Sequence, residues 1–131
     1  MIGLDTNVLV RFLVRDDEDQ HQRAAELLRR GAAEGKVFFV GDVVLAEVVS
    51  VLRSRYRCDR DEIASVVRQL SEVEELVFES TSRVVRALRV YEKRGGGFAD
   101  HLIAERARDA GCEVVITFDK ALHADGYCSP P

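Results

Sequence analysis

The stretch Met1-Ile2-Gly3-Leu4-Asp5-Thr6-Asn7-Val8-Leu9-Val10-Arg11-Phe12-Leu13 decides the class of fold. Met1–Leu4 is a short apolar run, and Asp5-Thr6-Asn7 supplies side-chain acceptors that suit a helix N-terminus. The helix then continues to about Val14. A strand that passes directly into a helix opens an α/β unit, and the rest of the chain repeats the pattern. Val37–Val40, Leu76–Glu79 and Val114–Thr117 read as further strands. Helical patterns occupy Gln20–Ala33, the segment from a capping Asp42 to about Arg57, the segment opened by Asp59-Arg60-Asp61-Glu62, Thr81 or Ser82 to about Lys93, and Phe98–Ala110. Phe118–His123 can form a short helix, and glycines near Gly31–Gly35, at Gly95-Gly96-Gly97 and at Gly111 act as stops. No repeat or linker interrupts this order, so residues 1–131 read as one α/β domain. Its expected form is a sandwich of helices around a short central parallel sheet of about four or five strands.

Composition narrows the function. With 47 % apolar and 32 % charged residues, the chain fits neither a disordered nor a fibrous class. It has no apolar run long enough for a membrane helix, no basic leader region, and Asp5 interrupts its only early apolar stretch. The expected setting is therefore cytoplasmic, with no membrane association. Cys58, Cys112 and Cys128 are odd in number and widely spaced, which argues against a disulfide scaffold or a structural zinc site. The net charge of −4 argues against holding nucleic acid by bulk charge alone. Among the bases, however, sixteen are Arg and three are Lys, and guanidinium forks suit phosphate oxygens.

Four carboxylates stand in positions that invite explanation. Asp5 ends the first strand and Asp119 follows Val114–Thr117, so both would face one crevice if these strands were central and parallel. Helix capping is the alternative for each. Glu47 lies in Val43-Val44-Leu45-Ala46-Glu47-Val48-Val49-Ser50-Val51-Leu52, a helix apolar around nearly its whole circumference. Such a helix is expected to be buried, and a buried carboxylate needs a partner: an arginine such as Arg11 or Arg53, or a metal. Asp100 sits in the first turn of its helix, where the macrodipole favours an acid regardless of function. Together the four would form an all-oxygen site suited to Mg²⁺ or Mn²⁺. Setting four acids aside from 23 leaves 19, equal to the 19 bases, so the charge surplus matches the site. One or two divalent ions there could activate water against a phosphodiester.

The segments Ile2–Val10, Val43–Leu52, Phe98–Ala104 and Val115–Lys120 resemble, in order, the four motifs of PIN-domain ribonucleases. The likeness spans essentially the whole chain and is strongest to VapC-type toxins of toxin–antitoxin pairs. It implies a PIN-like three-layer sandwich and a Mg²⁺- or Mn²⁺-dependent endoribonuclease with one or two ions per site. It also implies a homodimer, an RNA substrate and a cognate VapB-type antitoxin. By position, Asp5, Glu47, Asp100 and Asp119 would be the catalytic and metal-binding acids, with Thr6, Asn7 and Thr117 as orienting groups. Asp42 departs from the pattern, standing near where the family often carries Ser or Thr.

Other readings fit less well. A haloacid-dehalogenase-like phosphatase would want Asp-x-Asp, but Asn7 occupies the place of its acid. A response-regulator receiver would want an acceptor Asp after a middle strand, and neither Val37–Val40 nor Leu76–Glu79 ends in one. A PIN-like binding module without nuclease activity is the non-enzymatic alternative, separable by metal titration. His21, His101 and His123 form no catalytic pattern, and His101 is expected at the surface, about 100° round the helix from Asp100.

Overall fold

Asp5 lies just beyond the first strand, where it is the N-cap of the first helix, the capping alternative raised for it by the sequence. In the computed structural model, which describes the backbone of residues 1–131 and every side chain except that of Asp125, β1 (Ile2–Gly3) passes straight into α1 (Thr6–Leu13). There follow α2 (Glu18–Ala33), β2 (Phe38–Val40), α3 (Asp42–Ser54), α4 (Arg60–Glu72), β3 (Leu76–Phe78), α5 (Thr81–Lys93) and α6 (Phe98–Asp109). The chain ends with β4 (Val115–Ile116), a 3₁₀ helix (Lys120–Asp125) and β5 (Cys128–Ser129).

Helix starts follow the local chemistry. The Asp17, Asp59 and Ser80 side chains accept from the first-turn N–H groups of α2, α4 and α5, and Asp59 forms a capping box with Glu62. α3 is different. Its cap is Gly41, without a side-chain bond, and Asp42 is the first helical residue, buried to 4 % exposure, rather than a cap. α3 also stops at Ser54 instead of Arg57, because the chain leaves it through Arg57 in the left-handed region (φ 55°). Gly31 continues α2 where a stop was expected. A Cβ there would lie 2.3 Å from Cζ of Phe38, so the glycine lets helix and sheet approach.

All strand pairs are parallel, but the five strands form two sets. β2 lies between β1 and β3, with Ile2 beside Phe38 and Phe38 beside Leu76. Among the described residues β4 pairs with β5 alone, its segment's donors going from Val115 to the Tyr127 carbonyl and from Thr117 to that of Ser129. The tail therefore takes the ladder of β4, and β1 is an edge strand. The condition under which Asp5 and Asp119 would face one crevice, with β1 and β4 both central, is not met.

Phe38 and Val40 are fully buried from the central strand, and Leu9, Leu45, Val48, Ile63, Val67, Val84, Tyr91 and Phe98 join them in the main core. Each such large side chain contributes about 1.5–3 kcal/mol relative to exposure. A second, small cluster of Ala104, Leu122 and Cys128 seats the C-terminal strands against α6. α6 thus stands between the core, through Phe98 and Leu102, and the C-terminal unit, through Ala104.

Candidate acidic site

Thr6 joins two of the four acids. Its backbone N–H donates to Asp5 Oδ1 at 2.8 Å, and its hydroxyl donates to Glu47 Oε2 at 2.6 Å across 41 residues of sequence. Thr6 is buried while both carboxylates are exposed, so a fixed donor orients two acids that water can reach. A hydroxyl-to-carboxylate bond of this length is charge-assisted and among the stronger hydrogen bonds. Asn7 is exposed beside it and lines the groove between α1 and α2 with Arg11, Gln20 and Arg23.

Glu47 is not buried, contrary to the expectation drawn from its apolar context. Val43, Glu47 and Ser50 share one stripe of α3, and this stripe faces an open groove of about 480 Å³ walled by Ala99, Leu102, Ile103 and Arg106 of α6. Val43 is 70 % exposed. Neither expected arginine reaches Glu47: Arg11 pairs with Asp16, and Arg53 donates to the Tyr91 hydroxyl.

Asp100 is half-buried in the first turn of α6, with Oδ2 packed against the cap residue Gly97. Asp119 is exposed and caps the 3₁₀ helix, Oδ1 accepting from the Ala121 N–H, while its own N–H donates to Thr117 Oγ1 at 3.0 Å. Thr117 therefore orients the turn that carries Asp119. Among the described residues no hydrogen bond joins Asp100 or Asp119 to the Asp5–Thr6–Glu47 group, and no three His, Cys, Asp or Glu side chains converge as a metal cluster. The donors are the right kind for Mg²⁺ or Mn²⁺, but in this arrangement they do not form a cage for one.

Sequence reasoning missed the buried acid of this groove. Asp42 Oδ2 accepts from Arg83 at 2.6 Å and from Arg106 at 3.2 Å, while Oδ1 is buried without a hydrogen-bond partner. The Asp42 N–H donates to Glu79, and Arg106 also bonds Glu79. That backbone bond, reinforced by Arg106 and Arg83, holds the Glu79 carboxyl below its ordinary value. Burial works against the charge of Arg83, but Asp42 and Asp109 outweigh it and its pKa is raised. The signal that could find it is an acid inside an apolar run, which Phe38–Val44 carries as plainly as the segment around Glu47. His101 also departs from expectation: it is buried, and its Nε2 donates to the Gly95 carbonyl at 2.8 Å.

A family model, the PIN domain, matches residues 2–125. The chain belongs to the PIN domain family. A relative of this PIN domain, named VapC ribonuclease, comes from Aquifex aeolicus (strain VF5) and is 28 % identical over 124 residues, covering 95 % of this chain and 91 % of that protein. Among solved structures, that of Mycobacterium tuberculosis VapC20, described as a sarcin-ricin loop cleaving toxin, aligns with 97 % of this chain and 96 % of its own. The TM-score is 0.42 and the identity 23 %. The family match over residues 2–125 and the alternating helices and parallel strands show the expected α/β fold class for this PIN domain. No helix among its described residues is long and apolar enough to cross a membrane.

Proposed function

We propose that this PIN domain is an endoribonuclease of the VapC type, the toxin of a toxin–antitoxin pair. The observation that carries the reading is Thr6 donating to both Asp5 and Glu47, which brings the first two motifs to one point. Asp100 and Asp119 complete the acid set in this reading, with Asn7 and Thr117 as orienting neighbours. The reaction is hydrolysis: water adds to phosphorus, one P–O bond of the RNA breaks, and the leaving oxygen takes a proton. Asp5 and Glu47, both reached by solvent, can hold or accept a proton there. Dependence on Mg²⁺ or Mn²⁺, one or two per site, rests on the all-carboxylate donor set rather than on a formed cage. A homodimer, a cytoplasmic location and a VapB-type antitoxin that places an arginine on the acids belong to the same reading.

The test is incubation of the purified chain with single-stranded RNA in Mn²⁺ and, separately, in EDTA. Cleavage only with the metal supports the reading, whereas full-rate cleavage in a metal-free preparation refutes its metal dependence. One second reading is a PIN-fold module that binds RNA without cutting it, since among the described residues no three carboxylates converge in this arrangement. RNA binding with no cleavage under any metal would select that module.

A further inference from the structure

Asp100 enters α6 from the turn 94–97, and that turn is tied down from two sides. Arg60, the first residue of α4, brings Nη1 within 2.8 Å of the Tyr91 carbonyl, 3.1 Å of that of Gly96 and 3.4 Å of that of Arg94. Its guanidinium carbon lies 4.2 Å from the centroid of the Tyr91 ring. That ring is itself fixed: it is fully buried, edge-on to Phe98, and its hydroxyl accepts from Arg53. From the other side, the buried His101 donates to the Gly95 carbonyl. At Gly96 φ is +92°, and a Cβ would lie 2.9 Å from Leu122 Cδ2 and 3.0 Å from His101 Nε2. A Cβ at Gly97 would lie 3.0 Å from Asp100 Oδ2.

Arg60 makes no ion pair with a carboxylate among the described residues, and its contacts are main-chain carbonyls and an aromatic face. A guanidinium presents several donors in a rigid fork, so such contacts fix the path of a backbone rather than balance a charge. Reaction rates are sensitive to that path, since a displacement of about 1 Å can cost about 100-fold. We infer that Arg60 and His101 are positioning residues that set the Asp100 carboxylate by clamping the turn 94–97. The inference rests on the ribonuclease reading of Asp100.

The test measures kcat and KM on an end-labelled single-stranded RNA of random sequence, together with amide hydrogen exchange at residues 95–100. Arg60→Gln is expected to lower kcat by about 10- to 100-fold, leave KM within about twofold, and speed exchange in that segment. Arg60→Lys, which keeps a cation over Tyr91, is expected to recover part of the rate. Arg86→Gln removes bonds to Glu105 and Asp109 that do not touch the turn, and is expected to leave kcat unchanged. If Arg60→Gln fails to fold, His101→Phe reads the other side of the clamp with the same expected signature. Wild-type kcat in a folded Arg60→Gln or His101→Phe protein would overturn the inference, as would a kcat loss without faster exchange at 95–100. Failure of the underlying reading looks different: Asp100→Asn then cleaves at the wild-type rate, whatever the clamp variants do.

Discussion

Thr6 shows how much one residue can decide. Its N–H and hydroxyl serve two carboxylates from two motifs, and the residue itself is buried. Thr6→Val keeps the shape and deletes the hydroxyl. Glu47 is exposed and can be solvated instead, so stability is expected to change by less than about 1 kcal/mol while cleavage falls at least tenfold. Thermal melts beside RNA cleavage rates check both halves. Asp100→Asn separates a helix-start acid from a working one. Losing only a first-turn charge costs less than about 1 kcal/mol and leaves the rate alone; losing a working acid lowers the rate by orders of magnitude, which is the expected result. The contrast between Glu47 and Asp42 belongs to the same scale. An acid in an apolar run signals burial only if its own helical face turns inward, and a single sequence does not say which face does.

At the scale of elements, helices were legible because caps and apolar spacing are local. Asp59 caps where the sequence places a helix start, whereas α2 begins at Glu18 under an Asp17 cap, ahead of the expected Gln20, and Ser80 rather than Thr81 or Ser82 caps α5. Strand pairing was not legible, because two-residue strands such as β4 and β5 carry no pattern of their own and the ladder between Val115 and Cys128 is fixed by docking on α6. The cross-link of Asp42 with Arg83 and Arg106 was equally hidden, since its members come from three helices. Asp42→Ala leaves Arg83, 14 % exposed, without its closest carboxylate, and is expected to cost about 3 kcal/mol in denaturant unfolding. Glu79 adds a pH signature. Its carboxyl is held below the ordinary 4.5, so its contribution to stability is present above about that pH and is lost as pH falls through the lower folded-state value. Glu79→Gln should therefore weaken the protein at neutral pH and flatten its acid unfolding limb.

For the whole molecule, the main core is built from apolar side chains of its own, so folding is expected to survive the loss of any ion. EDTA is expected to leave the melting temperature unchanged, in contrast to a structural metal site, whose loss unfolds its domain. In the proposed ribonuclease, acids from the whole length of the chain serve one hydrolytic site, including Asp119, which follows a strand outside the three-stranded sheet. The most direct test is the rate of RNA cleavage by Asp119→Asn, because Asn caps the 3₁₀ helix nearly as well and the fold is preserved. The expected result is a loss of at least two orders of magnitude in a protein that melts normally. Cleavage by Asp119→Asn at the wild-type rate would contradict it.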